Sequence, residues 1–254
     1  MKRYVLGAII PAALLLAWEG WWYVDAWRLE SLSRPTDVVR AFVSGLGDGS
    51  VVRATFQTLE AALAGLLTAC VIGMTVGIGL GLAPKVERIV APTIDALRPI
   101  PSVALIPLSL MIFGFGATMQ VTVVAFACLW PVLLITISSV KGIEPRLLEV
   151  SRALQLNAWQ RTTKIVLPAA LSGMVVGLRL ALAIALIVSI TVEIVINPRG
   201  LGHEMMSAQQ ALRFDQMYAH LLWVGFLGWA ISALSLAGIQ RLPGVRLGST
   251  EGNT

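Results

Sequence analysis

Hydrophobic positions in this chain fall in long continuous runs, not in the alternation that marks a half-buried strand or the striped pattern of a surface helix. Six runs, roughly Tyr4 to Tyr23, Leu59 to Leu82, Ile100 to Phe113, Met119 to Val140, Leu167 to Ile196 and Met217 to Ile239, are divided by charged or Pro/Gly-rich breaks. A membrane-crossing helix needs about 20 mainly apolar residues, so the pattern predicts about six transmembrane helices. The third run is short and begins among Pro99, Pro101 and Pro107, which predicts a tilted, kinked or incompletely spanning segment. The first ends in Trp18, Trp21, Trp22, Tyr23 and Trp27 without a small-residue cleavage site, the pattern of a retained helix with an interfacial aromatic belt.

The second run carries Ala61, Gly65, Ala69, Gly73, Gly77 and Gly81, one small residue every four positions. That spacing predicts a ridge another helix approaches closely, in this chain or in a second copy. A nucleotide-binding glycine loop is excluded here, because no lysine or hydroxyl follows in Walker spacing. Ahead of this run, Arg34-Pro35-Thr36-Asp37 followed by Val38, Val39, Phe42 and Val43 predicts a short amphipathic anchoring helix on the outer surface.

Composition agrees with the runs: 57% of residues are hydrophobic and 13% charged, and mean hydropathy is +0.81. The bilayer is therefore the solvent. With both termini in the cytoplasm, twelve of the nineteen basic residues fall on the inner side, among them Lys2, Arg3, Lys85, Arg88, Arg98 and Arg241. The positive-inside rule favours this orientation, and the net charge of +5 reads as a topology signal facing lipid headgroups, not nucleic acid. Cys70 and Cys128 lie within runs and read as apolar packing residues. His203 and His220 are isolated and read as surface polar residues on the outer side, and no spacing suggests a metal site or a membrane-embedded enzyme. A secondary transporter, the alternative transport class, would show two matching halves or paired broken helices, and neither is present.

The stretch from Lys141 to Lys164 holds five cations (Lys141, Arg146, Arg152, Arg161, Lys164) against Glu144 and Glu149. Pro145 suits a first helical turn. Leu147, Val150 and Leu154 then share a face, with Glu149 and Arg152 on another. The pattern breaks near Gln155, and Asn157 with Gln160 three residues later resembles a capping box that opens a second helix running through Trp159 and Ile165 into Pro168. Periodicity alone is equally consistent with a rigid docking knob and with an amphipathic element lying on anionic lipid.

The series Glu149, Ala153, Leu154, Ile165, Val166, Leu167 and Pro168 resembles the "EAA" loop of the permease subunits of ABC importers. Asp95 to Gly116, Trp130-Pro131, Gly142, Gly177-Leu178-Arg179, Glu193 and Gly200-Leu201-Gly202 resemble, in the same order, the nitrate/sulfonate/taurine branch of that family, covering about Ser31 to Arg241. The family usually has alanines after the glutamate and glycine at the bend, where this chain has Val150, Ser151 and Gln155. A left-handed bend at an L-residue costs on the order of 1 kcal/mol, so Gln155 puts the bend geometry in question.

The resemblance implies an all-α polytopic membrane fold of the type I ABC importer permease kind. It implies a single permease domain over residues 1–254 with a cytoplasmic coupling loop at 141–166, in a bacterial inner membrane. Implied partners are a second permease copy (a homodimer), two ABC ATPase subunits and a periplasmic or lipid-anchored solute-binding protein. ATP and Mg would be bound by the ATPases, since this chain has no P-loop of the G-x4-G-K-[ST] type and needs no cofactor of its own. Glu149, Arg152, Ala153, Leu154, Gln155 and Trp159 are the implied ATPase-docking residues.

Charged residues inside spans are candidates for the solute pathway. Glu193 is either such a residue or a structural hydrogen-bond partner, and Arg179 snorkels, pairs or lines the inner vestibule. Arg199 and Glu204, near the helix-breaking Asn197 to Gly202 segment, are expected contacts of the binding protein. The implied solute is small, a sulfonate, nitrate, taurine or similar molecule, chosen by the binding protein.

Overall fold

A computed structural model describes residues 10, 13–14, 16–20 and 31–240, and the regular structure among them is helical throughout. The first apolar run lies mostly outside the described residues, as do Lys2, Arg3, Arg241 and Arg246. Among the described residues, four helices are long and apolar enough to cross a membrane: Ser50–Leu82, Ala117–Lys141, Ala158–Val195 and Phe214–Gly238. The third run departs from a simple span. It forms the second arm of a broken pair, Pro84–Leu97 with Ser102–Phe113, bent by 81°. Pro99 and Pro101 sit at the break, where neither can donate a helical hydrogen bond.

The chain divides into two compact units, residues 59–192 with 228–254 and residues 1–58 with 193–227. We number the helices α1 (Pro35–Gly47), α2 (Ser50–Leu82), α3 (Pro84–Leu97), α4 (Ile106–Phe113), α5 (Ala117–Lys141), α6 (Pro145–Ala153), α7 (Ala158–Arg161), α8 (Leu167–Val195), α9 (Leu201–Gln210) and α10 (Phe214–Gln240).

In the larger unit α5 lies between α2 and α8, and small residues set both approaches. A Cβ placed on Gly65, Gly73, Gly77 or Gly81 of α2 would come within 2.6 to 2.9 Å of Val124, Val132, Thr136 or Val140 of α5. The predicted ridge therefore packs inside this chain. From the other side, Gly173 and Gly177 of α8 leave no room for a Cβ against Ser139 and Ile135. Close backbone approach of this kind supplies van der Waals contact where lipid offers no hydrophobic drive. Polar groups tie the same helices: Gln120 Nε2 donates to Ser189 Oγ at 2.7 Å and Cys128 Sγ lies 3.3 Å from the Ala181 carbonyl. Cys70 and Cys128 are both free and buried. At the end of the bundle that carries α6, Val140, Ile143, Val166, Ala170 and Met174 form a core against Met74, Ile78, Leu82 and Leu148.

In the smaller unit α1 starts with Pro35 at its first turn and Asp37 in the favourable N-terminal position. It buries Val38 and sets Phe42 against Trp223, ring centroids 5.1 Å apart. Trp223 in turn donates from Nε1 to Thr55 Oγ1 at 2.8 Å and stacks on Phe226. Arg40 and Ser44 are exposed opposite the buried Val38, while Val39 and Val43 form an apolar strip that is left uncovered. Helix α9 ends in a Schellman turn, with Leu212 at φ 58° and Arg213 N donating to Ala208 O at 2.9 Å.

Candidate functional site: a helix, turn and helix between two spans

The loop after α5 folds into a knob through a sequence of local devices. Lys141, the last residue of α5, pairs with Glu87 at 2.9 Å and fixes the entry. Pro145 opens α6. Leu148 packs on the core below, and Ser151, fully buried at 0% exposure, turns its hydroxyl back to the Leu148 carbonyl at 2.6 Å. These residues form the inward face of α6, and only a small side chain fits at 151. The apolar residues predicted to share a face, Leu147, Val150 and Leu154, are exposed, Leu154 at 64%.

The bend keeps its left-handed form without glycine. Gln155 has φ 51°, and Leu156 N donates to Ser151 O at 3.1 Å, the long bond of a Schellman turn. Asn157 then caps α7: its Oδ1 accepts from Gln160 N at 2.8 Å while Gln160 Oε1 accepts from Asn157 N at 3.1 Å, the predicted capping box. Trp159 follows, 76% exposed. Residues Thr162–Val166 form a π turn, in which Leu167 N reaches back to Thr162 O. Pro168 accounts for it, since its ring crowds the carbonyl four residues back and it has no N–H to give.

The knob thus brings together, facing outward, Glu149, Ala153, Leu154, Gln155 and Trp159, with Arg152 in the last turn of α6. Leu147, Val150, Leu154 and Trp159 are exposed, whereas Ser151 at the base is buried and Leu148 packs on the core. Arg146 lies 3.9 Å from Glu144 in an exposed pair of small energetic weight.

The other predicted residues lie elsewhere. Glu193 is 1% exposed in the last turn of α8. Its Oε2 accepts from Thr58 Oγ1 and from Gly202 N, both at 2.9 Å, and Thr58 Oγ1 accepts from Leu201 N at 2.9 Å. Gly200, at φ 92°, donates its N–H to Gln57 Oε1 at 3.1 Å, and a Cβ there would fall inside the Glu193 carboxyl group. Gln57 and Thr58 carry no motif in the sequence, and the signal they offer is a polar pair directly ahead of the apolar run that begins at Leu59. Arg199 is exposed in the turn before α9 and Glu204 is half-buried in the first turn of α9. Arg179 is exposed on α8 and borders an apolar cavity of about 470 Å³ with Val176, Leu180, Ser232 and Ser235. One expectation fails outright: His220 is not a surface residue but 8% exposed, its Nδ1 2.8 Å from the Gln216 carbonyl. His203 is half-buried, its Nε2 3.4 Å from Ser207 Oγ.

Residues 69–242 match the family described as the binding-protein-dependent transport system inner membrane component. The chain belongs to this family. It is a permease subunit of an ABC importer, a multi-pass protein that works with ATPase subunits and a solute-binding protein. Among its relatives, the taurine transport system permease protein TauC of Escherichia coli strain K12 is 29% identical over 95% of this chain and 90% of TauC. The putative aliphatic sulfonates transport permease protein SsuC of Bacillus subtilis strain 168 is 27% identical over 89% of this chain and 83% of its own length. The bicarbonate transport system permease protein CmpB of Synechococcus elongatus is 28% identical over 74% of this chain and 67% of CmpB. Among solved structures, an inward-facing MetNI methionine ABC transporter superposes with TM-score 0.66 at 22% identity, covering 75% of this chain and 94% of that one. An amino acid ABC transporter with histidines gives TM-score 0.61 at 16% identity, over 82% and 96%. These two show the fold.

Proposed function

We propose that this permease pairs with a second copy of itself and with two ATPase subunits to move a small solute of the sulfonate, nitrate or taurine kind into the cell. The observation that carries the reading is the knob from Pro145 to Arg161, rigid at its base and capped at both bends, with Leu154 and Trp159 presented bare. Exposed apolar residues ringed by charge suit a protein groove: aromatic and aliphatic anchors supply most binding energy in such contacts, with a charged rim around them. Glu149, Arg152, Ala153, Leu154, Gln155 and Trp159 are the residues that dock.

The mechanism is mechanical. ATP and Mg belong to the partner, and this chain, without a P-loop, supplies a lever. Closure of the two ATPases moves the two knobs, and the buried base through Leu148 and Ser151 passes that motion into the bundle. Both termini and the knob face the cytoplasm in this reading, as the distribution of basic residues favours. The taurine, sulfonate and bicarbonate relatives support an anionic or zwitterionic solute of a few heavy atoms. Arg199 and Glu204 are the contacts of the binding protein, and Arg179 lines the inner vestibule.

Proteoliposomes holding the permease and its ATPase test the reading with taurine, ethanesulfonate and nitrate as probes. Uptake of one of them should require both ATP on the ATPase side and loaded binding protein. Uptake by the permease alone, driven by an ion gradient, would overturn it.

A further inference from the structure

Glu193, Thr58 and the turn from Asn197 to Gly202 form a closed hydrogen-bond lock for which the transport reading has no use so far. Its order is a relay: Leu201 N–H to Thr58 Oγ1, Thr58 O–H to Glu193 Oε2, and Gly202 N–H to the same oxygen, each 2.9 Å. Gln57 takes the N–H of Gly200 from the side. Three successive amides at the start of α9, which no intrahelical carbonyl can satisfy, are thus held by side chains from the opening turns of α2 and the last turn of α8. Thr58 and Glu193 are buried at 0% and 1% exposure, so hydrogen bonds in the relay reinforce one another in a low dielectric. Gly200 is required twice, by its φ of 92° and by the absence of space for a Cβ against Glu193. Between these fixed points stands the exposed Arg199.

We propose that Glu193 and Thr58 are positioning residues that hold the Pro198 to Gly202 turn as a rigid shelf on which the solute-binding protein docks, and that Glu193 serves transport through this lock and not by touching solute. The inference rests on the proposed function, which sets the binding protein at Arg199 and Glu204. A carboxyl that spends one oxygen on two donors and is closed off by Gly200 on a third side is built to hold backbone, and the backbone it holds carries Arg199.

The test uses the full complex in nanodiscs with four permease variants: Thr58→Val, which removes the hydroxyl, Thr58→Ser, which keeps it, Glu193→Gln and Glu193→Asp. Amide hydrogen exchange at Leu201 and Gly202 should quicken at least tenfold in Thr58→Val and Glu193→Gln, the change that about 1.4 kcal/mol of lost hydrogen bonding gives. Thr58→Ser should restore the wild-type rate. In the same two variants the binding-protein concentration that half-stimulates ATPase should rise about tenfold, with the half-saturating solute concentration at excess binding protein unmoved. Unchanged exchange overturns the lock. Faster exchange with an unmoved binding-protein requirement and altered solute preference overturns the shelf and returns Glu193 to the pathway. If the wild-type complex shows no stimulation by any loaded binding protein, the proposed function fails, while the exchange rates still decide the lock. Glu193→Asp, too short to reach both donors, should resemble Glu193→Gln in both readouts.

Discussion

Gly77 and Gly79 sit two residues apart on α2, and alanine at the two positions should have opposite effects. At Gly77 a Cβ would lie 2.8 Å from Thr136 Cβ, 2.9 Å from Thr136 Cγ2 and 3.1 Å from the Leu133 carbonyl of α5. Carbon atoms settle at about 3.5 to 4.0 Å, so the two helices must part by roughly 1 Å, and the neighbour at fault includes backbone that cannot rotate away. Forcing an extra carbon into such a contact costs about 1 to 3 kcal/mol. At Gly79 nothing stands within 4 Å, and replacing a mid-helix glycine by alanine gains about 0.5 to 1 kcal/mol. The two single-methyl variants should therefore move stability in opposite directions and differ by about 1.5 to 4 kcal/mol. Thermal unfolding in one detergent, followed by the near-ultraviolet signal of the tryptophans, should place Gly79→Ala at or above wild type and Gly77→Ala below it, separated by about 3 °C or more. Equal midpoints would refute the in-chain packing of the small-residue ridge and assign its approach to another molecule.

Further outcomes follow from the knob. Gln155→Gly should be tolerated and stabilise the loop by up to about 1 kcal/mol, because glycine adopts the left-handed turn without strain, whereas Gln155→Val should lower ATPase co-purification; thermal shift and pull-down of the complex check both. Ser151→Ala, which loses one internal hydrogen bond, should cost about 1 kcal/mol or less, while Ser151→Leu should displace α6 and abolish assembly, as read by gel filtration of the complex. Leu154→Ala and Trp159→Ala should each weaken ATPase association by about tenfold or more, the size expected of a buried anchor, measured by titration of the detergent-solubilised permease.

Much of this architecture was readable where the signal is local. The length of the apolar runs marks the membrane helices, and Asn157 with Gln160 marks a helix start, because three-residue spacing places two side chains against two amides whatever surrounds them. Pro99 and Pro101 announced a break but not its angle of 81°, which depends on what α3 and α4 pack against. The every-fourth-residue ridge predicted a close neighbour without naming α5, since the match of Gly77 to Thr136 exists only after both helices are placed. Thr58 and Glu193 are 135 residues apart, and nothing in either segment specifies the other. His220 reads as a surface residue because it stands alone without ligand spacing, and its helix, apolar on all sides, does not say which side faces protein. The same ambiguity hid the fate of Leu147, Val150 and Leu154: a shared apolar face is legible, but whether it is buried at home or left for a partner is decided by Leu148 and Ser151 taking the inward side.

The central claim is that the knob transmits the ATPase stroke, and the most direct measurement is ATP hydrolysis by the purified complex in lipid, with and without loaded binding protein, for wild type, Glu149→Ala and Leu154→Asp. The account predicts that binding protein stimulates the wild type and that both substitutions abolish stimulation while the permease stays folded and membrane-inserted. Stimulation of wild-type size in both variants would contradict it.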